Sequence, residues 1–338
     1  MAAHPGSRPD PTHLMRLSTA FWESQVFLTA NRIGLFALLA DGPRPVGEIA
    51  GGLGTHPRPT ELLLKACVAL ELLTLEGGQY GNAPAADAFL VPGKPGFMGS
   101  AFRYSDNLYD TWGQLESALR ENRPPLATEA YLGGDQGMTR DFVYAMHERA
   151  IGAGRALVGL VDLGGRQRLL DIGGGPGTYA ALFAQAHPAL SATVIDLPGI
   201  ARHAADIVAG MGVGERVELL PGDFKQTPFP DGRDVVLISG VFHRESEASC
   251  RELIARAYRC LQPGGLMIVS DVFTDRSGTG PLLATLFGLN MMLTAPDGGI
   301  HADAAVADWM AEAGFGDVTC RSFPPPMPHR LVQGVKPA

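Results

Sequence analysis

The apolar residues change rhythm once along the chain. Up to about residue 165 they recur at three- and four-residue spacing, the period of helices with one buried face. "STAFWESQVFLTANRIGLFALLA" predicts a long helix ended by "DGP", and "PVGEIAGGLG" and "RPTELLLKACVALELLTLE" predict two shorter ones. "GGQYGN" then reads as a turn or short β wing, so helices and wing together form a winged-helix pattern. More helix follows over residues 100–160, in "FRYSDNLYDTW" and "RDFVYAMHERA". Beyond it, short apolar runs alternate with helical stretches, from "RLLDIGGG" and "SATVIDL" through "RVELLPGDF" and "DVVLIS" to "LMIVSDVF". Apolar strands of about five residues alternating with helices predict an α/β domain with a doubly wound parallel sheet, covered on both faces. "GDVTCRSFP" and "HRLVQGVK" read as two final strands. The expected division is residues 1–160, helical and winged-helix-like, and residues 161–338, α/β.

Bulk properties narrow the function classes. The chain has 338 residues, of which 46% are hydrophobic and 18% charged, enough for two domains with real cores. A net charge of −8 disfavours nonspecific binding to DNA or to an anionic membrane. A winged helix could still read DNA, but the longer helix carries Arg58, Glu61, Lys65, Glu71 and Glu76, with no basic face, and reads as a packing module. No apolar run approaches the roughly 20 residues that span a bilayer. "MAAHPGSRPDPTH" lacks a signal-peptide core and reads as a frayed tail. Cys67, Cys250, Cys260 and Cys320 show no CxxC spacing and read as buried thiols of a cytoplasmic protein rather than a disulfide frame or a Cys-based zinc site.

"LLDIGGGPGTYA" carries the first chemistry. It is a strand ending in a glycine-rich turn that opens a helix, with Gly173, Gly175 and Gly177 in a GxGxG arrangement. Glycines there let the backbone approach a ligand closely. Asp196, at the end of the next strand, can accept bonds from ribose hydroxyls, and Asp223 and Phe224 in "PGDF" could hold an adenine by hydrogen bond and stacking. All three stand at carboxyl ends of strands, where open α/β sheets bind ligands.

These residues carry a family resemblance over nearly the whole chain. With "DIGGGPG", "VIDLPG", "GDF", "LQPGG" and "GLNMMLTAPDGG", the chain resembles the S-adenosylmethionine-dependent small-molecule O-methyltransferases of the plant caffeate and bacterial polyketide type. The resemblance implies a seven-stranded class I methyltransferase domain with an antiparallel last strand, behind a helical, winged-helix-like dimerisation domain. It also implies a homodimer, a role in antibiotic or other secondary metabolism, and cofactor contacts from Asp171, Gly173, Gly175, Asp196, Leu197, Gly222, Asp223, Phe224 and Ser239. An acceptor pocket would be lined by Arg103, Tyr104, Trp112 and Met291.

Two departures from the family pattern shape the expected reaction. The family's catalytic His is followed by Asp, whereas Arg244 follows His243 here. The family's Gly-Gly-x-Glu-Arg reads "GGIHA", so His301 replaces the Glu that orients the base. His329, before a last strand that runs antiparallel, would reach the same edge. Three histidines without paired carboxylates suggest a divalent transition metal, Zn or Fe foremost, bound by His243, His301 and His329. A metal chelating a 2-oxo acid would acidify its β-CH₂, with Arg244 pairing with the substrate carboxylate. The pair His243 and His301 resembles the family's metal-dependent 2-oxo acid β-C-methyltransferase branch. The expectation is therefore C-methylation, with metal-bound hydroxide or a carboxylate such as Glu245 as proton acceptor. Two alternatives stand beside it: a metal-independent O-methyltransferase with His243 as general base, and a non-catalytic, S-adenosylmethionine-sensing winged-helix protein.

Overall fold

The computed structural model describes residues 9–126 and 131–338; the first eight residues of the N-terminal tail lie outside them. Contacts divide the chain into two compact units, Met1–Asp106 and Asn107–Ala338. In the first, a 21-residue helix, Thr12–Arg32, precedes a small sheet of β1 (Arg44–Pro45), β2 (Leu73–Glu76) and β3 (Gln79–Asn82) in the order β1-β3-β2. Gly77 and Gly78 form the hairpin between β2 and β3 at φ 56° and 81°, a left-handed pair that only glycine adopts freely. The helices Val46–Leu53 and Pro57–Ala69 close one core with this wing, around Phe36, Ile49, Leu64 and Tyr80.

The second unit is built on a seven-stranded sheet. Its strands are β4 (Arg168–Ile172), β5 (Ser191–Asp196), β6 (Val217–Pro221), β7 (Arg233–Ser239), β8 (Leu261–Asp271), β9 (Gly316–Ser322) and β10 (Arg330–Val335), in the order β6-β5-β4-β7-β8-β10-β9. The first five run parallel, and β10 lies antiparallel between β8 and β9. This is the class I methyltransferase sheet with its reversed last strand. Alternate residues feed opposite cores: Leu169, Leu237 and Ile268 face Phe183 and Leu157, while Leu170, Val236 and Met267 face Ile254 and Trp309. The 25-residue helix Gln136–Leu160 belongs to this unit and packs on Thr178–Ala186; Asp135 caps its start by accepting from the Met138 N–H at 2.8 Å.

Strand order reverses at β4, which has β5 on one side and β7 on the other. The connections out of β4 and β7 leave in opposite directions there, opening a crevice at the strand ends. The register Ile172↔Ile195, Ser239↔Ser270 and Asp271↔Arg330 brings four strand ends and the start of β10 to one edge.

Candidate active site

The crevice is lined first by the glycine turn after β4. Gly173 has φ 67°, and a Cβ there would stand 2.7 Å from Val241 Cγ2 and 3.5 Å from the Phe224 ring. Gly175, at φ 54°, faces open space and donates its N–H to Asp196 Oδ2 at 2.7 Å. Asp196 Oδ1 accepts from the Leu197 N–H at 2.7 Å, and Gly222 N–H binds the Asp196 carbonyl. Asp223 turns back on its own loop, accepting from Lys225 N–H and the Gln226 side chain. Ser239, at the end of β7, lies beside the Tyr179 phenol, which burial pushes up to about 12.

Two carboxylates meet here in an environment that disfavours charge. Asp171 is fully buried, and neither oxygen has a well-formed hydrogen bond among the described residues; only the Ala180 N–H bears on it. Burial, then the neighbouring Asp196 charge, pushes it up to about 7. Burial also raises Asp196, to about 6, against the two N–H bonds and the Arg244 charge that favour its ionised form. A crevice with an orphaned buried carboxylate, an open glycine edge and a second acid at the next strand fits a ligand that is cationic at one end and carries ribose hydroxyls.

His243 stands on a single 3₁₀ turn, Phe242–Arg244, directly after β7. Fully buried Phe242 anchors that turn, a burial that contributes about 1.5–3 kcal/mol. His243 Nδ1 lies 2.6 Å from Asp271 Oδ1, with side-chain exposures of 14% and 3%. A carboxylate can only accept, so Nδ1 carries the proton and Nε2 is left with its lone pair. Asp271 is itself fixed: Val272 N–H donates to Oδ1 at 2.7 Å and His243 N–H to Oδ2 at 3.3 Å. The Phe287 ring meets the imidazole edge-on, centroids 4.8 Å apart.

His243 therefore has a carboxylate partner, contrary to the sequence expectation that it had lost both. Asp271 was legible only as the end of the apolar run "LMIVSDVF", and it sits in a neighbouring strand rather than beside His243 in sequence. His301 does not join it as a ligand. Its Nε2 lies 3.0 Å from the Glu245 carbonyl and 3.2 Å from the Phe242 carbonyl, so the ring donates to the two ends of the 3₁₀ turn. His329 enters at the predicted edge, just before Arg330, and its Nδ1 is buried without a hydrogen-bond partner among the described residues. Burial lowers its pKa, Asp271 partly offsets this, and His243 adds a smaller lowering. Among the described residues no three His, Cys, Asp or Glu side chains are grouped to hold a metal ion. Glu245 is occupied by Lys225 Nζ at 2.8 Å and Ser249 Oγ at 2.6 Å. Of the expected pocket residues, Trp112 donates to Asn290 Oδ1 at 2.9 Å next to buried Met291, whereas Arg103 and Tyr104 lie in the N-terminal unit, on Gly99–Asn107.

Residues 112–316 match the O-methyltransferase domain family, and residues 15–92 match the O-methyltransferase dimerisation domain. The chain belongs to the O-methyltransferase family. It is 33% identical over 336 residues to the 3-hydroxy-5-methyl-1-naphthoate 3-O-methyltransferase of Streptomyces sahachiroi, covering 96% of this chain and 95% of the relative. It is 35% identical over 332 residues to TcmO, the tetracenomycin polyketide synthesis 8-O-methyl transferase of Streptomyces glaucescens, covering 97% of each. Human N-acetylserotonin methyltransferase in complex with SAM superposes with a TM-score of 0.88 at 27% identity, over 99% of this chain and 100% of that one. The chain is accordingly an S-adenosylmethionine-dependent methyltransferase. The expectation of β-carbon methylation of a metal-chelated 2-oxo acid is overturned: these relatives are O-methyltransferases, and among the described residues the three histidines form no group that could hold a metal ion. The reason is physical. An Asp on the adjacent strand pairs with His243, and His301 bonds backbone carbonyls instead.

Proposed function

We propose that this enzyme methylates an aromatic hydroxyl of a small secondary metabolite, with His243 as general base. The His243–Asp271 hydrogen bond carries the reading. S-adenosylmethionine, when bound, would supply a methyl group on a sulfonium: an in-line acceptor oxygen would form the C–O bond as the C–S bond breaks and the neutral thioether leaves with the electron pair. His243 Nε2 takes the proton from the acceptor hydroxyl, and Asp271 holds the ring in the required tautomer and stabilises the imidazolium that forms. Phe287 and Met291 keep the reacting hydroxyl in an apolar setting. For the cofactor we assign Gly173 and Gly175 to close backbone approach, Asp171 to its cationic amino-acid end and Asp196 to its ribose. The adenine goes to Phe224 with Asp223, and Leu197, Gly222 and Ser239 complete the rim. Naphthoate and polyketide relatives support an aromatic acceptor.

The functional form is a homodimer through the N-terminal unit. Helix Thr12–Arg32 leaves Leu14 67%, Met15 66%, Phe21 50% and Trp22 60% exposed, an apolar stripe on a region that matches the dimerisation domain. The test of the catalytic reading is His243→Ala. It should retain S-adenosylmethionine and lose about 10²- to 10⁴-fold in methyl transfer to phenols, the usual contribution of a positioned base. An unchanged kcat sinks it.

A further inference from the structure

Arg244 is the unassigned cation at this rim. It shares the single 3₁₀ turn with the base, so its position is fixed by the same Phe242 anchor and the same His301 clamp. Its guanidinium carbon lies 5.9 Å from the centre of the Tyr131 ring, and that ring is held by a hydrogen bond from its hydroxyl to the Thr294 carbonyl at 3.0 Å. The side chain is half-buried. Nearby acids are already engaged: Asp196 accepts two backbone N–H groups, Asp271 serves His243, and Glu245 is paired with Lys225. Among the described residues the Arg244 guanidinium makes no ion pair or hydrogen bond, and its nearest acid in charge is Asp196, which leaves a fork of five donors on the turn that carries His243.

A planar guanidinium with two parallel donors is the best protein match for a carboxylate, which it binds through two hydrogen bonds at once. A neutral phenol would leave those donors to water. We infer that Arg244 binds a carboxylate on the acceptor, making the substrate class a hydroxylated aromatic acid. This rests on the O-methyltransferase reading above and adds a second anchor to it. The proton still leaves the hydroxyl for His243 Nε2, and the acid group is ionised throughout and takes no part in bond making.

The test uses matched pairs of acceptors: hydroxybenzoic and hydroxynaphthoic acids against phenols and naphthols with the same hydroxyl. In the wild-type enzyme kcat/KM for the acid should exceed that for its partner by about tenfold or more, the effect of a charge-assisted pair. Arg244→Gln should collapse that ratio, chiefly through KM, and Arg244→Lys should keep part of it. An unchanged ratio in both variants, with the fold intact by thermal melting, overturns the inference. So does a wild-type enzyme that methylates acids and phenols equally, and in that case the O-methyltransferase reading stands. Methylation of neither, with S-adenosylmethionine bound, overturns the reading itself and the inference with it.

Discussion

Asp271→Asn separates the two tasks of the carboxylate, charge and orientation. Oδ1 takes two short donors, His243 Nδ1 at 2.6 Å and Val272 N at 2.7 Å, while Oδ2 takes only His243 N at 3.3 Å. An asparagine will therefore keep its carbonyl oxygen at the Oδ1 place and turn its NH₂ toward the His243 N–H. The ring tautomer survives. What is lost is the negative charge opposite the developing imidazolium, together with one long backbone hydrogen bond. A hydrogen bond to a charged group contributes about 1.5–3 kcal/mol, and the 3% exposure of Asp271 means little solvent screening. At about 1.36 kcal/mol per factor of ten, kcat should fall about 10- to 150-fold. Asp271→Ala removes orientation too and should approach the loss in His243→Ala. The assay is single-turnover methyl transfer to a series of phenols of rising acidity. Phenols already ionised at the assay pH need no base, so the loss should fade across the series. An equal loss for acidic and ordinary phenols would refute proton removal by His243. An Asn variant as impaired as Ala would refute the retained tautomer.

Three further outcomes follow from the same geometry. His301→Ala leaves the Glu245 carbonyl with only the Cys250 thiol at 3.8 Å, while the Phe242 carbonyl still accepts the Glu245 N–H at 3.1 Å, costing about 1 kcal/mol. The denaturant midpoint and kcat should drop together, with Gln recovering part of both; an unchanged midpoint would mean His301 is no clamp. Burial holds protons on Asp171 and Asp196 that the unfolded chain releases near its ordinary 3.8, so unliganded stability should fall as pH rises from about 4 through about 7. A cationic ligand prefers the ionised pair, so the thermal shift given by S-adenosylmethionine should be larger at pH 8 than at pH 5.5, and a flat or reversed dependence would count against this assignment. Trp22→Glu, on the exposed stripe of Thr12–Arg32, should convert the dimer to monomer in light scattering, and persistence of the dimer would place the interface elsewhere.

The parts of the fold that depend on local rhythm were readable. Apolar strands ending in "DIGGG", "VID" and "GDF" located β4, β5 and β6 and with them the edge proposed for the cofactor, because backbone approach needs glycine and the strand ends carry their own acids. The residue proposed as base stood out as His243. Its partner did not, since what pairs His243 with Asp271 is the register Ser239↔Ser270, and register is a property of the sheet rather than of either segment. The same blindness made three histidines look like a metal site. Placing a residue at an edge does not say where its ring points, and His301 points at carbonyls 3.0 and 3.2 Å away. Phe287 was hidden for a simpler reason: Leu282–Met292 is apolar on every side, so periodicity could not mark the face that meets the imidazole.

Three strand-end aspartates share one edge, and their neighbours give each a different chemistry. Asp171 has no well-formed hydrogen bond among the described residues and lies fully buried, so it is costly to ionise without a cation beside it, which is what its proposed place at the charged end of the cofactor would supply. Asp196 has one N–H on each oxygen and Arg244 nearby, so it ionises more readily and keeps lone pairs free for hydroxyls. Asp271 has an imidazole and two backbone N–H groups, so its acceptor capacity is spent on holding His243 still. His243 takes its carboxylate from β8 across the sheet rather than from position 244, and the arginine that stands there faces the Tyr131 ring and the Asp196 charge instead.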